Sequence, residues 1–219
     1  MSMQGAAPPT TDGWASVTGA INSMRSFEQP MALAVTSPDF GTLWIDFPRS
    51  RFYIDRPLDA LPLSPRTVAL YSQQIDPDQE LFPWVEWSPI DPLLWKISRA
   101  AFGGNPAFWL RAGDRYRLTR WPNLTQLTHS GSEIRILAAL GSGQALTVAE
   151  TAALADADQS DVQAVINALA LAGGVEASQG SVVPPPIVED ATRRAHQVGR
   201  ERRGLFGRLR SRLGVAAHG

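Results

Sequence analysis

With 219 residues, 44% of them hydrophobic and 19% charged, the chain has an ordinary globular composition, which excludes wholesale disorder, collagen and a disulfide scaffold. The formal charge of −1 hides a division: residues 1–120 carry −1, residues 121–186 carry −5 (Arg135 against Glu133, Glu150, Asp156, Asp158, Asp161 and Glu176), and residues 187–219 carry +5 (eight Arg against Glu189, Asp190 and Glu201). The absence of Cys excludes thiolate nucleophiles and Cys-ligated zinc and fits a reducing compartment.

Nineteen of the twenty basic residues are Arg, Lys96 being the exception, a bias expected of a GC-rich bacterial coding sequence. The segment Met1 to Trp14 has neither the basic start nor the apolar core of a signal peptide. No apolar run reaches the roughly eighteen residues of a membrane-spanning helix. The expectation is a cytoplasmic protein, with peripheral attachment to the inner membrane open through its C-terminus.

Seventeen of the eighteen aromatic residues lie at or before Trp121, Phe206 being the last. That boundary predicts four parts: a flexible arm over 1–15, an aromatic-rich α+β domain over 16–121, a second domain over 122–183, and a Pro-spaced basic tail over 184–219. In the first domain, Met31 to Val35 reads as a strand. Leu43 to Phe47 and Phe52 to Ile54 suit a hairpin across Pro48 to Arg51. A second hairpin is expected between Ala107 to Leu110 and Tyr116 to Leu118, with Ala112-Gly113-Asp114 at the turn. One helix is predicted from Asp91 or Pro92 to Phe102, with Asp91 as its cap and Gly103-Gly104 ending it. The domain is expected to have an aromatic core.

From Leu124 onward, three helix-start signatures follow one another. Ser130 with Glu133, Thr147 with Glu150, and Ser160 with Gln163 each have the spacing of a capping box, in which hydroxyl and carboxylate or amide satisfy orphan amides reciprocally. They predict helices over 133–140, 148–154 and 161–172, stopped by Gly141, the Asp156-Ala157-Asp158 turn and Gly173-Gly174. Gln144 to Leu146 suits a short strand, and Val175 to Ala177 with Ser181 to Val183 a hairpin. In this order, and above all in Leu146 to Leu154 followed by Ser160 to Gly174, residues 124–183 resemble the winged helix-turn-helix domains of bacterial transcription regulators. The resemblance implies a third helix placed to enter the major groove of DNA.

The side chains of that third helix argue against DNA. Those expected on its exposed face are Asp161, Gln163, Ala164, Asn167 and Ala168, none of them basic, in a segment of charge −5 with one Arg. Phosphate neutralisation by Lys or Arg supplies most of the affinity for DNA, and base contacts from Gln163 and Asn167 do not replace it. The expectation is a winged helix used for protein docking through Gln163, Ala164, Asn167 and Ala168.

Pro184-Pro185-Pro186 is a stiff spacer before the tail. On a helical wheel Val198, Leu205, Phe206, Leu209 and Leu213 fall within an arc of about 100°, shared with Arg202, while Arg208, Arg210 and Arg212 lie outside it. Residues 204–213 thus suit an anionic membrane surface or an acidic partner.

Catalytic chemistry is weakly signalled. His129, His196 and His218 are far apart, and Asp76, Asp78 and Glu80 read as a solvated loop. No metal and no cofactor is expected. Two Arg-x-x-Asp tetrads, Arg56 to Asp59 and Arg111 to Asp114, resemble cyclic-di-GMP sites of bacterial signalling proteins, at a frequency chance supplies. Trp109, Arg111, Asp114, Arg115 and Arg117 form the candidate ligand cluster, since guanidinium groups and aromatic faces together hold nucleotides. Alternation of Arg115 and Arg117 with Tyr116 and Leu118 equally describes a half-buried strand. Four readings follow: a non-enzymatic adaptor working through protein contacts, which we favour; a transcription regulator with a sensory N-terminal half; a cyclic-dinucleotide effector; and an enzyme without a visible motif.

Overall fold

Short runs of alternating apolar residues, separated by turns and loops, make residues 31–74 the body of an antiparallel sheet. The structure is a computed structural model that describes residues 10, 11, 13–127 and 129–179. In chain order the first elements are β1 (Thr10–Thr11), α1 (Gly13–Met24), β2 (Met31–Ser37), β3 (Gly41–Asp46), β4 (Arg51–Ile54), β5 (Val68–Gln74), β6 (Ser88–Pro89) and α2 (Ile90–Phe102). The sheet order is β1-β5-β2-β3-β4-β6, antiparallel throughout. The expected strand at Met31 and the expected β3–β4 hairpin are present, the latter pairing Leu43 with Ile54 and Ile45 with Phe52.

One face of the sheet is buried beneath α1 and α2. Leu33, Val35, Leu43, Ile45 and Phe52 from the strands meet Val17 and Ile21 of α1 and Leu93, Leu94 and Ile97 of α2 in one hydrophobic cluster. Helix α1 and strand β5 lay outside the sequence expectation. Of the arm expected over 1–15, Thr10 and Thr11 pair with β5, and Trp14 is buried on the first turn of α1 and stacks on Phe40 at 5.3 Å. Burial of that indole, whose Nε1 donates to the Pro62 carbonyl at 2.8 Å, holds down a stretch whose Gly and Thr content reads as coil.

The remaining elements are β7 (Arg115–Leu118), α3 (Gly131–Leu140), α4 (Val148–Ala155), α5 (Gln159–Ala172) and β8 (Val175–Ser178). Two of the three capping boxes form in full: the Ser130 hydroxyl accepts from the Glu133 amide while the Glu133 carboxylate accepts from the Ser130 amide, and Thr147 and Glu150 do the same. The third does not. Helix α5 opens two residues earlier than expected, with Asp158 at its N-cap and no side-chain cap, and Gln163 turns to a different partner. Likewise α2 opens at Ile90 after Pro89, so Asp91 sits in the first turn instead of capping it.

The expected hairpin between 107–110 and 116–118 is absent. Ala107 to Leu110 is a turn, closed by the Leu110 amide on the Ala107 carbonyl at 2.8 Å. Strand β7 pairs instead with β8, placing Tyr116 opposite Ala177, and takes the single bridge from Leu146 on its other edge. The strand expected at 181–183 lies outside the described residues.

A second hydrophobic cluster fills the space among α3, α4, α5 and β7, built on Ile136, Leu137, Leu140, Val162, Ile166, Leu169 and Tyr116. The two clusters interlock across residue 121: Leu171 of α5 belongs to the first and Trp95 of α2 to the second. A 2.7 Å ion pair from Arg99 on α2 to the buried Glu133 of α3 adds a polar tie. The molecule is α+β, and α2 is shared by its two cores.

Candidate functional site: an aromatic sheet face

Because strand side chains alternate, the residues between those of the core point to the opposite face of the sheet. There Tyr71, Ala34, Trp44 and Tyr53 stand in one rank across β5, β2, β3 and β4. Among the described residues, helices α1 and α2 pack on the other face of the sheet. The loop after β5 crosses part of the rank, setting Phe82 edge-on to Trp44 at 5.0 Å and parallel to Trp87 at 6.3 Å, with Trp87 at 6.2 Å from Tyr53. Trp84 is 79% exposed and Tyr71 57% exposed. The aromatic core expected from composition is therefore only partly a core. Trp14, Phe40, Phe52, Trp95 and Tyr116 are buried, whereas Tyr71 and Trp84 are exposed and Trp44, Tyr53, Phe82 and Trp87 half-buried beside them.

A charged network fixes that surface. The Asp46 carboxylate is fully buried and accepts from the Arg49 amide at 3.3 Å, Arg49 Nη1 at 3.2 Å and Arg51 Nε at 3.0 Å. From this anchor Arg49 donates onward to the carbonyls of Pro77 and Gln79, and Arg51 to Glu80 at 3.0 Å. The Arg51 guanidinium also lies 4.5 Å from the centre of the Trp87 ring, a cation–π contact. Burial works against its charge, but hydrogen bonds to Glu80 and Asp46 raise its pKa above the ordinary value. The acidic stretch 76–80 is thus a strapped loop. Its Asp76 closes a local turn on the Asp78 amide, and its Glu80 serves the strap.

The residues expected to dock a partner on the third helix are placed otherwise. Asn167 and Ala168 are fully buried, Gln163 is buried, and only Ala164 is half-exposed. Asn167 is the centre of a bracket: its Nδ2 donates to the Asn105 carbonyl at 2.8 Å, and its Oδ1 accepts from the Ala107 amide at 3.1 Å and from Gln163 Nε2 at 2.9 Å. The loop after α2 covers the face that the sequence left free.

The expected ligand cluster is dispersed. Arg115 donates to the Ala145 carbonyl and pairs with Glu150 at 2.8 Å, and Arg117 pairs with Glu176 at 2.8 Å, so both Arg side chains serve the β7–β8 ladder and α4. Asp114 closes a turn on the Arg111 amide, which accounts for that Arg-x-x-Asp spacing without a ligand. Trp109 packs edge-on against Phe102 and Phe108 beside the first core. Arg111 is exposed and makes no ion pair among the described residues, on a shallow cleft of about 420 Å³ shared with Gly113, Thr147 and Ser160. In the second tetrad Arg56 donates to the Asp39 carbonyl, and the Asp59 carbonyl accepts from Lys96. The tail positions Arg202, Leu205, Phe206, Arg208, Leu209, Arg210, Arg212 and Leu213 lie outside the described residues.

Among the described residues no group of three or more His, Asp or Glu side chains is arranged to hold a metal, and no helix is long and apolar enough to cross a membrane. Sequence reasoning missed the aromatic face because a count of Trp and Tyr does not say to which side of a strand each points. The signal available was the phase of β3 and β4, in which Trp44 and Tyr53 alternate with Leu43, Ile45 and Phe52. Comparison with known proteins returns no matching family model, no matching curated protein and no matching solved structure.

Proposed function

We propose that the chain is a non-enzymatic adaptor that works through protein–protein contacts, with the aromatic sheet face as its principal docking surface. The observation that carries this reading is the aromatic rank of Tyr71, Trp44 and Tyr53, extended by Phe82, Trp84 and Trp87, in which Tyr71 and Trp84 are exposed and the rest half-buried, and which Asp46, Arg49 and Arg51 strap in place. Large exposed aromatic patches on soluble proteins mark interaction sites, and aromatic side chains are enriched in interfaces because they bury much area at small entropic cost. Residues 124–183 are read within this proposal as a winged-helix module of structural use. Its support is the order of α3, the Leu146 bridge, α4, α5 and β8. The basic tail supplies a second contact, to an anionic membrane or an acidic partner.

A DNA-reading role draws no support from α5, since Gln163 and Asn167 are consumed by the bracket on Asn105 and Ala107. A nucleotide role draws none from Arg115 and Arg117, which are ion-paired. The test is copurification from the source cells of the wild type and of a Tyr71→Ser, Trp84→Ser double variant, with duplex DNA binding measured in parallel. Loss of specific copurifying proteins from the double variant is the expected result. An unchanged set of partners, or sequence-selective DNA binding at physiological salt, overturns the reading.

A further inference from the structure

Away from the aromatic face, a groove of about 580 Å³ opens where the end of α1, the β3–β4 turn and the end of α5 converge. That size lies within the range of small-molecule sites, about 300–1,000 Å³. Its body is apolar, walled by Phe27, Met31, Phe47, Pro48, Ile90 and Leu94. Its inner end is different in kind. Arg25 donates to the carbonyls of Leu171 and Ala172, and Arg120 donates to the same Ala172 carbonyl at 3.0 Å. Arg25 Nη2 lies 3.1 Å from that oxygen, so the two guanidinium groups are within about 6 Å of each other.

Two cations this close repel each other. Asp91 faces them at the long distance of 3.6 Å from Arg120, and Glu28 is the other acid on the wall. Burial and the neighbouring Arg120 lower the Arg25 pKa, against the opposing pull of Asp91. Next to this end lies a recess bordered by Asp91, Arg120 and Trp95. The Trp95 side chain is 5% exposed and its indole N–H has no acceptor. The inner end therefore presents two guanidinium groups at one end of an apolar wall, apart from the Trp95 recess, which at about 10 Å³ is too small for an anionic head.

We infer that this groove is a binding site for an amphiphilic anion, a molecule with one carboxylate, sulfonate or phosphate head and an apolar body. The head sits between Arg25 and Arg120 and the body lies along Phe27, Met31, Phe47 and Ile90. The site uses none of the aromatic side chains of the other face and meets its strap only at Pro77, whose carbonyl accepts from Arg49, so its test reads separately from the adaptor reading.

Two fluorescent probes of nearly the same body test it on the full-length chain: anilinonaphthalene sulfonate, which is anionic, and phenylnaphthylamine, which is neutral. The sulfonate is expected to bind about tenfold more tightly, the difference that one charge-assisted hydrogen bond supplies. Arg120→Gln should erase that preference and leave the neutral probe unchanged, while Glu28→Gln, which removes a like charge, should strengthen the sulfonate alone. Gln29→Trp, which fills the groove from its exposed wall, should weaken both probes. An unfolding midpoint for each variant separates loss of the site from loss of the fold, and Glu28→Gln keeps the proposal falsifiable if Arg120→Gln does not fold. Equal affinity for the two probes, or sulfonate binding indifferent to Glu28→Gln and Gln29→Trp, overturns it.

Discussion

Asn167 on helix α5 donates its side-chain N–H to the carbonyl of Asn105 at 2.8 Å, although the two residues are 62 positions apart. The Oδ1 of the same Asn167 side chain accepts the N–H of the fully buried Ala107. One side chain therefore satisfies a donor and an acceptor of a loop that has left regular structure, and through them ties α5 to the loop that follows α2. Asn167→Ala removes both partners and leaves two backbone groups without hydrogen bonds. Asn105 is exposed and water can serve its carbonyl, but the Ala107 amide and Gln163 Nε2 are buried, and at about 1–3 kcal/mol for each such unsatisfied group the variant should lose about 3 kcal/mol of stability. Urea unfolding with an unchanged slope checks this. A loss under about 1 kcal/mol would mean that water replaces the bracket.

The close seat of that loop on α5 has its own signature in glycine. Gly104 has φ +84°, and a Cβ there would stand 2.8 Å from the Ser160 Cβ and 3.2 Å from its carbonyl oxygen. Gly113 has nearly the same φ, +86°, with nothing within 4 Å. Left-handed backbone costs a non-glycine residue about 1–2 kcal/mol, so Gly113→Ala should lose about that much. Gly104→Ala bears the same cost plus the clash with the first turn of α5 and should be the less stable by at least about 1 kcal/mol. Paired thermal melts decide it, and equal melting temperatures would show that the loop can retreat.

Several of these relationships could be read in advance and others could not, for physical reasons. Ser130 with Glu133 and Thr147 with Glu150 were legible because a capping box is local: donor and acceptor are three residues apart whatever the rest of the chain does. Ser160 with Gln163 has the same spacing, yet Asn167 competes for the Gln163 amide from one turn further along α5, and α5 starts at Gln159. Strand β7 was visible as alternation, but its partner was not, since pairing with β8 joins residues about sixty apart and leaves no local mark. The aromatic face failed for a related reason. Trp44 and Tyr53 are half-buried in a partly covered rank because Asp46, Arg49 and Arg51 strap the 77–80 loop beside them, a placement that no local pattern marks.

The second capping box predicts a pH dependence. The Glu150 carboxylate is held below the usual carboxylate range by the Thr147 backbone N–H first and by the Arg115 guanidinium next. In the unfolded chain a Glu titrates near about 4.3. A folded pKa depressed below that value contributes stability that is fully present above it and is lost as pH falls through the folded pKa. Glu150→Gln should therefore lower the melting temperature at neutral pH, and the gap to the wild type should close on acidification below about pH 4. Thr147→Ala, which removes the reciprocal half, should cost about 1 kcal/mol at neutral pH. A gap that is constant from neutral to acid pH would show that Glu150 acts only as a helix former.

Asp46 gives the sharpest separation between stability and surface. Its buried carboxylate holds Arg49 and Arg51, and Asp46→Ala leaves two guanidinium groups without their anchor in a partly buried setting. Breaking a buried ion pair from one side costs about 3–5 kcal/mol, and because both Arg side chains are still partly open to water the lower end applies. Asp46→Ala should also release the 77–80 loop, since Arg49 reaches the Pro77 and Gln79 carbonyls only from its seat on Asp46. Trp84→Ser, by contrast, removes a ring that is 79% exposed and should change stability by no more than about 0.5 kcal/mol. Hydrogen exchange separates the two: amides of residues 77–82 should exchange faster in Asp46→Ala and at wild-type rates in Trp84→Ser. Unchanged exchange in Asp46→Ala would place the order of the aromatic face in ring packing alone, with the charge network reduced to a bystander.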